Sequence, residues 1–184
     1  PTTFLLRRLM DNPAFQQDFI SRFCDLLNTV FQPVYTIARI DEMAAELEAE
    51  IDEHTRLWRA PSAFKVWQNH VEYLRSFARQ RPLPMQAHLK QYFRLRGPVE
   101  LTVASVHPHQ GWIQVNSLLV DASPHSPWTG LYFMDIPVTL TAVPAPGHRF
   151  LGWQGRPDLN TPSLKLSLTE AMGFTAEFAA DPDA

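Results

Sequence analysis

Four histidines lie in the predicted loops of the second half of the chain, and imidazole nitrogens are common metal ligands. His107 and His109 flank a proline, while His125 and His148 stand far from them and from each other. Histidine metal sites usually repeat a short fixed spacing, and these four residues have none. We therefore predict no metal site here.

A run of acidic residues in the third predicted helix could bind a cation through carboxylate oxygens. The run lacks the clustered oxygen-ligand loop of a calcium site. Its spacing fits the solvent-exposed face of a helix, which is the interpretation we adopt. The residues are Asp41, Glu42, Glu46, Glu48, Glu50 and Glu53.

The single cysteine, Cys24, excludes an intrachain disulfide and a cysteine-based zinc site. It follows Phe23 in an apolar helical segment, which favours a small buried side chain over a nucleophile. The sequence has no HExxH or GxSxG motif and no glycine-rich phosphate loop; all its glycines lie at or after Gly97. We predict no catalytic and no cofactor-binding residue in this chain.

Aromatic side chains offer flat faces that suit sugar or peptide contact. We expect Trp58 and Trp67 to lie in the core of the helical half. Trp128 falls in a predicted loop, and together with Tyr132 it is our candidate for contact with a ligand or partner. Packing of that loop onto the sheet is the alternative.

The elements that must position these residues are helical up to about residue 97. Apolar residues recur there at intervals of three and four, the repeat of an amphipathic helix, in five segments. Asn12 and Pro13 supply an N-cap and a first-turn proline for the second helix, and Ser62 can cap the fourth. Gly97 followed by a proline ends the segment. The stripe of the second helix is Phe15, Phe19, Phe23, Leu26 and Val30.

Beyond Pro98 the apolar period changes from 3.6 to 2, which indicates β-strands. The stretch 137–153 alternates, turns at Pro-Ala-Pro-Gly and resumes, so it predicts a half-buried hairpin whose Trp153 closes the core. Residues 107–111 predict another hairpin connection, and a long loop is expected at 116–131. We predict two domains: an all-α segment of about five helices at 1–97 and a small all-β antiparallel domain of about six strands at 98–180. Residues 181–184 are expected to form a frayed tail.

Composition narrows the function classes. The 184 residues are 45% hydrophobic and carry a net charge of −3, which gives no basic surface for nucleic acid. No apolar run approaches the length of a membrane span, and no signal peptide is visible. Because the chain opens with Pro1, we expect it to be a piece of a longer protein.

Three segments of the helical half carry a family resemblance: LLRRLMDNPAFQQDFISRFCDLLNTVFQP at 5–33, IARIDEMAAELEAEIDEHTRLW at 37–58 and WQNHVEYLRSFARQRPLPMQAHL at 67–89. This resemblance is to the C-terminal part of the spore-coat CotH-type atypical protein kinase family. It implies a parent that uses ATP and a divalent metal in a kinase-like core upstream, and no ligand of either is assigned to this chain.

Four segments of the β half carry a second resemblance: GWIQVNS at 111–117, PWTGLYF at 127–133, PVTLTAVPAPGHRFLGWQG at 137–155 and FTAEF at 174–178. This resemblance is to divergent internalin-type B-repeat modules of bacterial envelope or secreted proteins. The two resemblances imply a secreted or cell-surface protein whose helices brace the upstream core and whose β module binds envelope or coat components. The alternatives are a kinase whose nucleotide site this segment completes, and a carbohydrate-binding module.

Overall fold

The computed structural model describes residues 3–182. Over this range six helices precede eight strands, which confirms the predicted helical segment followed by a β domain. The helices are α1 (Phe4–Met10), α2 (Pro13–Leu27), α3 (Pro33–Glu48), α4 (Ile51–Trp58), α5 (Phe64–Gln80) and α6 (Pro82–Phe93).

Of the two helix N-caps predicted from the sequence, the one at α2 is present and the one at α5 is not. The side-chain Oδ1 of Asn12 accepts hydrogen bonds from the backbone N–H groups of Ala14 (2.9 Å) and Phe15 (3.4 Å), so the predicted cap of α2 is confirmed. The predicted cap at Ser62 is wrong, because Ala63 is the extended residue that precedes α5 and no side chain caps it.

The buried face of α2 differs from the predicted stripe. Ile20, Cys24 and Leu27 are the buried apolar residues, whereas the phenylalanine side chains are half-buried. Val30 lies beyond the helix and is 54% exposed. The two sets lie side by side on one broad apolar face, and spacing alone does not say which part meets the core.

The helical tryptophans are less buried than expected. Trp58, the last residue of α4, is 71% exposed, so its prediction as a core residue is wrong. Trp67 is half-buried and its ring lies 5.5 Å from that of Phe64.

The segment predicted as the third helix forms two helices, α3 and α4, which are separated at Ala49 and Glu50.

The chain divides into two compact units. Within the described residues, one contains 3–25 and 89–182, and the other contains 26–88. The division of the chain into domains at residue 97 stays a prediction.

The β part forms two four-stranded sheets. One has the strand order β4-β1-β8-β6 and the other β3-β2-β5-β7. All pairs are antiparallel except β1 with β8, which is parallel. The strands are β1 (Val99–Ser105), β2 (Gly111–Val115), β3 (Leu118–Val120), β4 (Trp128–Tyr132), β5 (Val138–Pro144), β6 (His148–Trp153), β7 (Ser163–Leu166) and β8 (Met172–Ala180).

The stretch 137–153 is not a hairpin. Its two strands, β5 and β6, belong to different sheets, so the Pro-Ala-Pro-Gly turn passes from one sheet to the other. The connection at 107–111 does the same between β1 and β2. Period-two alternation specifies the buried face of a strand but not its hydrogen-bonded partner. The prediction that Trp153 closes the core is confirmed, since it is 3% exposed and its Nε1 donates to the carbonyl oxygen of Thr161 at 3.0 Å.

The predicted loop at 116–131 contains β3 and all of β4 except Tyr132. β4 pairs with β1 from Val99 opposite Tyr132 to Val103 opposite Trp128. Its prolines precede β4 rather than interrupt it, which is where a proline leaves the strand's own hydrogen bonds intact.

Close packing joins the two sheets at Gly111. A Cβ atom placed on this residue of β2 would lie 2.6 Å from the ring carbon Cε1 of Phe178 in β8 of the other sheet. Because that separation is shorter than real Cβ contacts allow, glycine is required at this point of the core.

A polar contact holds the chain just before β1. The carboxylate of Asp135 accepts hydrogen bonds from the backbone N–H of Arg96 at 2.6 Å and from its guanidinium Nε at 2.9 Å. The backbone hydrogen bond is the main cause of a lowered pKa of Asp135.

Candidate functional site

The most constrained polar group is the carboxylate of Asp25, in the last turn of α2. Asp25 is 1% exposed. It accepts hydrogen bonds from Ser117 Oγ (2.7 Å), Ser117 N (3.3 Å), Asn116 Nδ2 (3.1 Å) and Tyr132 Oη (3.0 Å). Since buried carboxylates need such donors, these contacts stabilise the acid in the core and connect α2 with the β2–β3 turn and β4.

Asn116 is held from two sides. Its φ of 49° places it in the left-handed region, which asparagine tolerates better than most residues. Its Oδ1 accepts from the backbone N–H of Thr139 at 2.9 Å, and its own N–H donates to the Thr139 carbonyl oxygen at 2.7 Å. The turn that carries the donors to Asp25 is therefore fixed to β5.

A cavity of about 390 Å³ opens beside this cluster. Nη1 of Arg22 donates to Ser117 Oγ at 2.5 Å, and that hydroxyl donates in turn to Asp25. Lys165 of β7 also lines the cavity. The arrangement places two cationic side chains at a polar opening whose inner wall is hydrogen-bonded in place.

Cys24 is buried as predicted, at 3% exposure. Burial, with a further contribution from the charge of Asp25, raises the pKa of its thiol to about 12. The thiolate is the nucleophilic form of cysteine, so this side chain is unreactive in the folded protein at neutral pH.

The histidines do not converge. The rings of His107 and His109 lie 6.0 Å apart, and Nδ1 of His148 is 3.0 Å from the carbonyl oxygen of Pro146. Within residues 3–182, no group of three or more histidine, cysteine, aspartate or glutamate side chains is arranged to hold a metal ion.

The acidic face of α3 takes part in ion pairs with α5. Arg75 donates to Asp41 at 2.7 Å and to Glu72 at 3.3 Å, and Arg79 donates to Glu72 at 2.9 Å. The hydrogen bonds from Arg79 and Arg75 lower the pKa of Glu72. The pairs are solvent-exposed and border a cavity of about 550 Å³ lined by α3 and α5.

The two aromatic candidates have different environments. Trp128 lies on β4, an edge strand, and is half-buried. Tyr132 is 1% exposed, and its hydroxyl is bound to Asp25. A role for Trp128 in ligand contact stays a prediction, while the structure places Tyr132 in the buried cluster.

Asp25 is not among the functional residues predicted from the sequence. One signal was present: an acidic residue in the last turn of α2 opposes the helix dipole and stands between the apolar residues Cys24 and Leu26. Such a placement needs a tertiary partner. The partners lie more than 90 residues later in the chain, where no local pattern points to them.

Residues 1–84 match the family model described as CotH kinase protein. Over these residues the chain is similar to the CotH family. The match confirms the CotH-type resemblance and covers α1 to α5, together with the start of α6. The B-repeat resemblance of the β half stays a prediction.

No curated protein and no solved structure matched the chain. Of the helices described here, none combines the length and the apolar character that a membrane crossing requires.

Proposed function

We propose that this chain is the non-catalytic C-terminal piece of a CotH-like secreted or envelope protein. Its helices brace a kinase-like core of the parent protein, and its β domain mediates surface attachment or partner binding. The family match over residues 1–84 supports the CotH-like assignment. The apolar surface of the helical unit supports the bracing role.

The helical unit at residues 26–88 has a small core, and this observation carries the proposal. Within this described range four apolar side chains are buried: Leu27, Ile51, Val71 and Ala78. Twelve large hydrophobic residues of the same range are exposed. Contiguous exposed apolar surface marks interaction sites, and these side chains are available for such contact. The twelve are Val30, Phe31, Val34, Tyr35, Met43, Leu47, Leu57, Trp58, Tyr73, Leu74, Phe77 and Leu83.

Helix α1 adds apolar surface within the other unit. Phe4, Leu5, Leu6 and Leu9 are between 39% and 70% exposed, and the helix has no buried residue. Covering such side chains is favourable by about 25 cal/mol for each Å² of apolar surface removed from water. A packing partner for α1 is therefore part of the proposal.

The chemistry of the buried Asp25 and Cys24 side chains supports the proposal that this segment is non-catalytic. The Asp25 carboxylate is engaged by four hydrogen bonds from its neighbours, which suits a structural acid. The raised pKa of the Cys24 thiol keeps the proton on sulfur. The Asp25 carboxylate is therefore not positioned as a general base, and the Cys24 thiol is not activated as a nucleophile.

The bracing role can be tested by binding. The kinase-like core of the parent protein, produced separately, is titrated with the 184-residue chain by isothermal calorimetry. We expect a saturable complex that the double change Trp58→Ser and Phe77→Ser weakens at least tenfold. The matched control Leu119→Ser removes an equally exposed side chain from β3 and should leave the affinity unchanged. Failure of the unaltered chain to bind the core would refute the bracing role.

The alternative function, a kinase whose nucleotide site this segment completes, can be tested by measuring nucleotide binding. In the same calorimeter, the chain alone is titrated with ATP and magnesium, and we expect no saturable heat. Tight binding by the chain alone would overturn the non-catalytic proposal and favour a nucleotide site completed by this segment.

The proposed location rests on the family resemblance. Fractionation of the source cells, with an antibody against the β domain, should recover the protein in the medium or at the cell surface. Recovery in the cytoplasmic fraction alone would contradict the surface-attachment role.

A further inference from the structure

The cavity beside Asp25 is lined almost entirely by residues with polar side chains. It lies within one compact unit and is formed by α2, the β2–β3 turn, β5 and β7. Of its ten lining residues, all of them in the described range, Pro137 is the one without a polar side chain. A lining of this kind suits a small hydrophilic ligand and does not favour an apolar one.

The wall of the cavity is held in place before any ligand binds. Ser117 is fixed by Asp25 and Arg22, and Asn116 is fixed by Asp25 and Thr139. A site whose polar groups are already oriented loses less conformational entropy on binding.

Two cations face this opening from different elements. Arg22 extends from α2 and is oriented by Ser117. Lys165 stands on β7 directly opposite Thr139 of β5, so the ammonium group and the hydroxyl belong to neighbouring positions. A guanidinium, an ammonium and a hydroxyl together are the usual ligands of a phosphoryl group. The two cations can pair with a dianionic phosphate monoester, because the Asp25 carboxylate in the same lining is already engaged by four hydrogen-bond donors.

The same helix, α2, also provides acceptors to the cavity. Asp18 lies one helical turn before Arg22 and is exposed, and Gln17 is its neighbour in the lining. A carboxylate beside an anion site would repel inorganic phosphate. It can accept hydrogen bonds from the hydroxyl groups of an ester.

We propose that this cavity binds a phosphate monoester of a polyhydroxylated compound, with the phosphoryl group at Arg22 and Lys165 and the hydroxyl groups at Asp18. The site is independent of the bracing role of the helices. Its ligand class follows from the pairing of two cations with a nearby acceptor.

The test is an NMR titration of the 184-residue chain, labelled with ¹⁵N, with glycerol 3-phosphate, inorganic phosphate and glycerol. We expect saturable shifts of the amides of Ser117 and Thr139 with glycerol 3-phosphate. Inorganic phosphate should bind more weakly, and glycerol alone should give no saturable shift. Shifts spread evenly over the surface, or equal affinity for the ester and for inorganic phosphate, would overturn the proposal.

Variants separate the roles of the side chains. Lys165→Gln and Arg22→Gln should each weaken ester binding about tenfold, the usual loss for a charge-assisted hydrogen bond. Arg149→Gln, a change of an exposed arginine on β6, is the matched control and should bind as the unaltered chain does. Asp18→Asn should narrow the difference between ester and inorganic phosphate. Equal weakening by Arg149→Gln would show general attraction to surface charge and would refute the site.

Discussion

Replacing Asp25 by asparagine tests whether the buried carboxylate holds the β2–β3 turn and β4 to α2. The two side chains have nearly the same shape, so the change alters hydrogen bonding and charge but little packing. One carboxylate oxygen faces Asn116 Nδ2 and the other faces the backbone N–H of Ser117, and neither group can accept a hydrogen bond. Whichever way the new amide is oriented, its NH₂ group therefore faces a donor.

The expected loss follows from these contacts. A hydrogen bond to a charged group is worth about 1.5–3 kcal/mol, and removing one partner of a buried charged network costs about 3–5 kcal/mol. Because hydroxyl groups at Ser117 and Tyr132 can rotate to accept, part of the loss is recovered in Asp25→Asn. We expect about 2–3 kcal/mol for Asp25→Asn and about 3–4 kcal/mol for Asp25→Ala.

The assay is urea unfolding at pH 7, followed by both tryptophan fluorescence and far-UV circular dichroism. Asp18→Asn changes an exposed aspartate of the same helix and should shift the free energy of unfolding by less than about 0.5 kcal/mol. A double-mutant cycle with Tyr132→Phe should give a coupling energy of about 1 kcal/mol. If Asp25→Asn unfolds at the same free energy as the unaltered chain, the carboxylate does not stabilise this junction.

Three further predictions concern packing and protonation. Gly111→Ala should lower the free energy of unfolding, measured in the same urea assay, by about 1–3 kcal/mol, because the new Cβ atom meets the Phe178 ring. The control Gly152→Ala should be near neutral, because no atom lies within 4 Å of the position of its Cβ. Cys24 should resist Ellman's reagent at pH 8 until urea unfolds the chain. The pKa of the Cys24 thiol is raised from 9.0 to about 12 in the folded protein, so above pH 9.0 the unfolded chain loses this proton first. The free energy of unfolding should therefore fall as the pH rises above 9.0, and the fall should be less steep in Cys24→Ala. The pKa of Asp135 is lowered from 3.8 in the folded protein, so its ionised form stabilises the fold above pH 3.8. This stabilisation should be lost as the pH falls through the folded pKa, and Asp135→Asn should remove this part of the acid dependence.

The class of each half could be predicted because local periodicity reports local structure. The change of apolar period near Pro98 separates helices from strands, and the Asn12 cap marks the start of α2. The same reasoning predicted the burial of Cys24 and Trp153. In each case a residue's own neighbours carry the signal.

Strand pairing could not be predicted in the same way. The stretch 137–153 has the pattern of a hairpin, yet β5 pairs with β2 and β7 while β6 pairs with β8. A short turn permits either a hairpin or a crossing to the other sheet, and the choice depends on which strands from elsewhere complete each sheet.

The candidate site shows the same division. The sequence alone determined the CotH-like helical half, the β half that follows and the position of each polar side chain along the chain. Only the tertiary structure brought Asp25 to Asn116, Ser117 and Tyr132, and placed Lys165 at the same cavity as Arg22. The physical reason is that a buried carboxylate is stabilised by whichever donors the fold supplies, and these donors come from strands and turns far away in the chain.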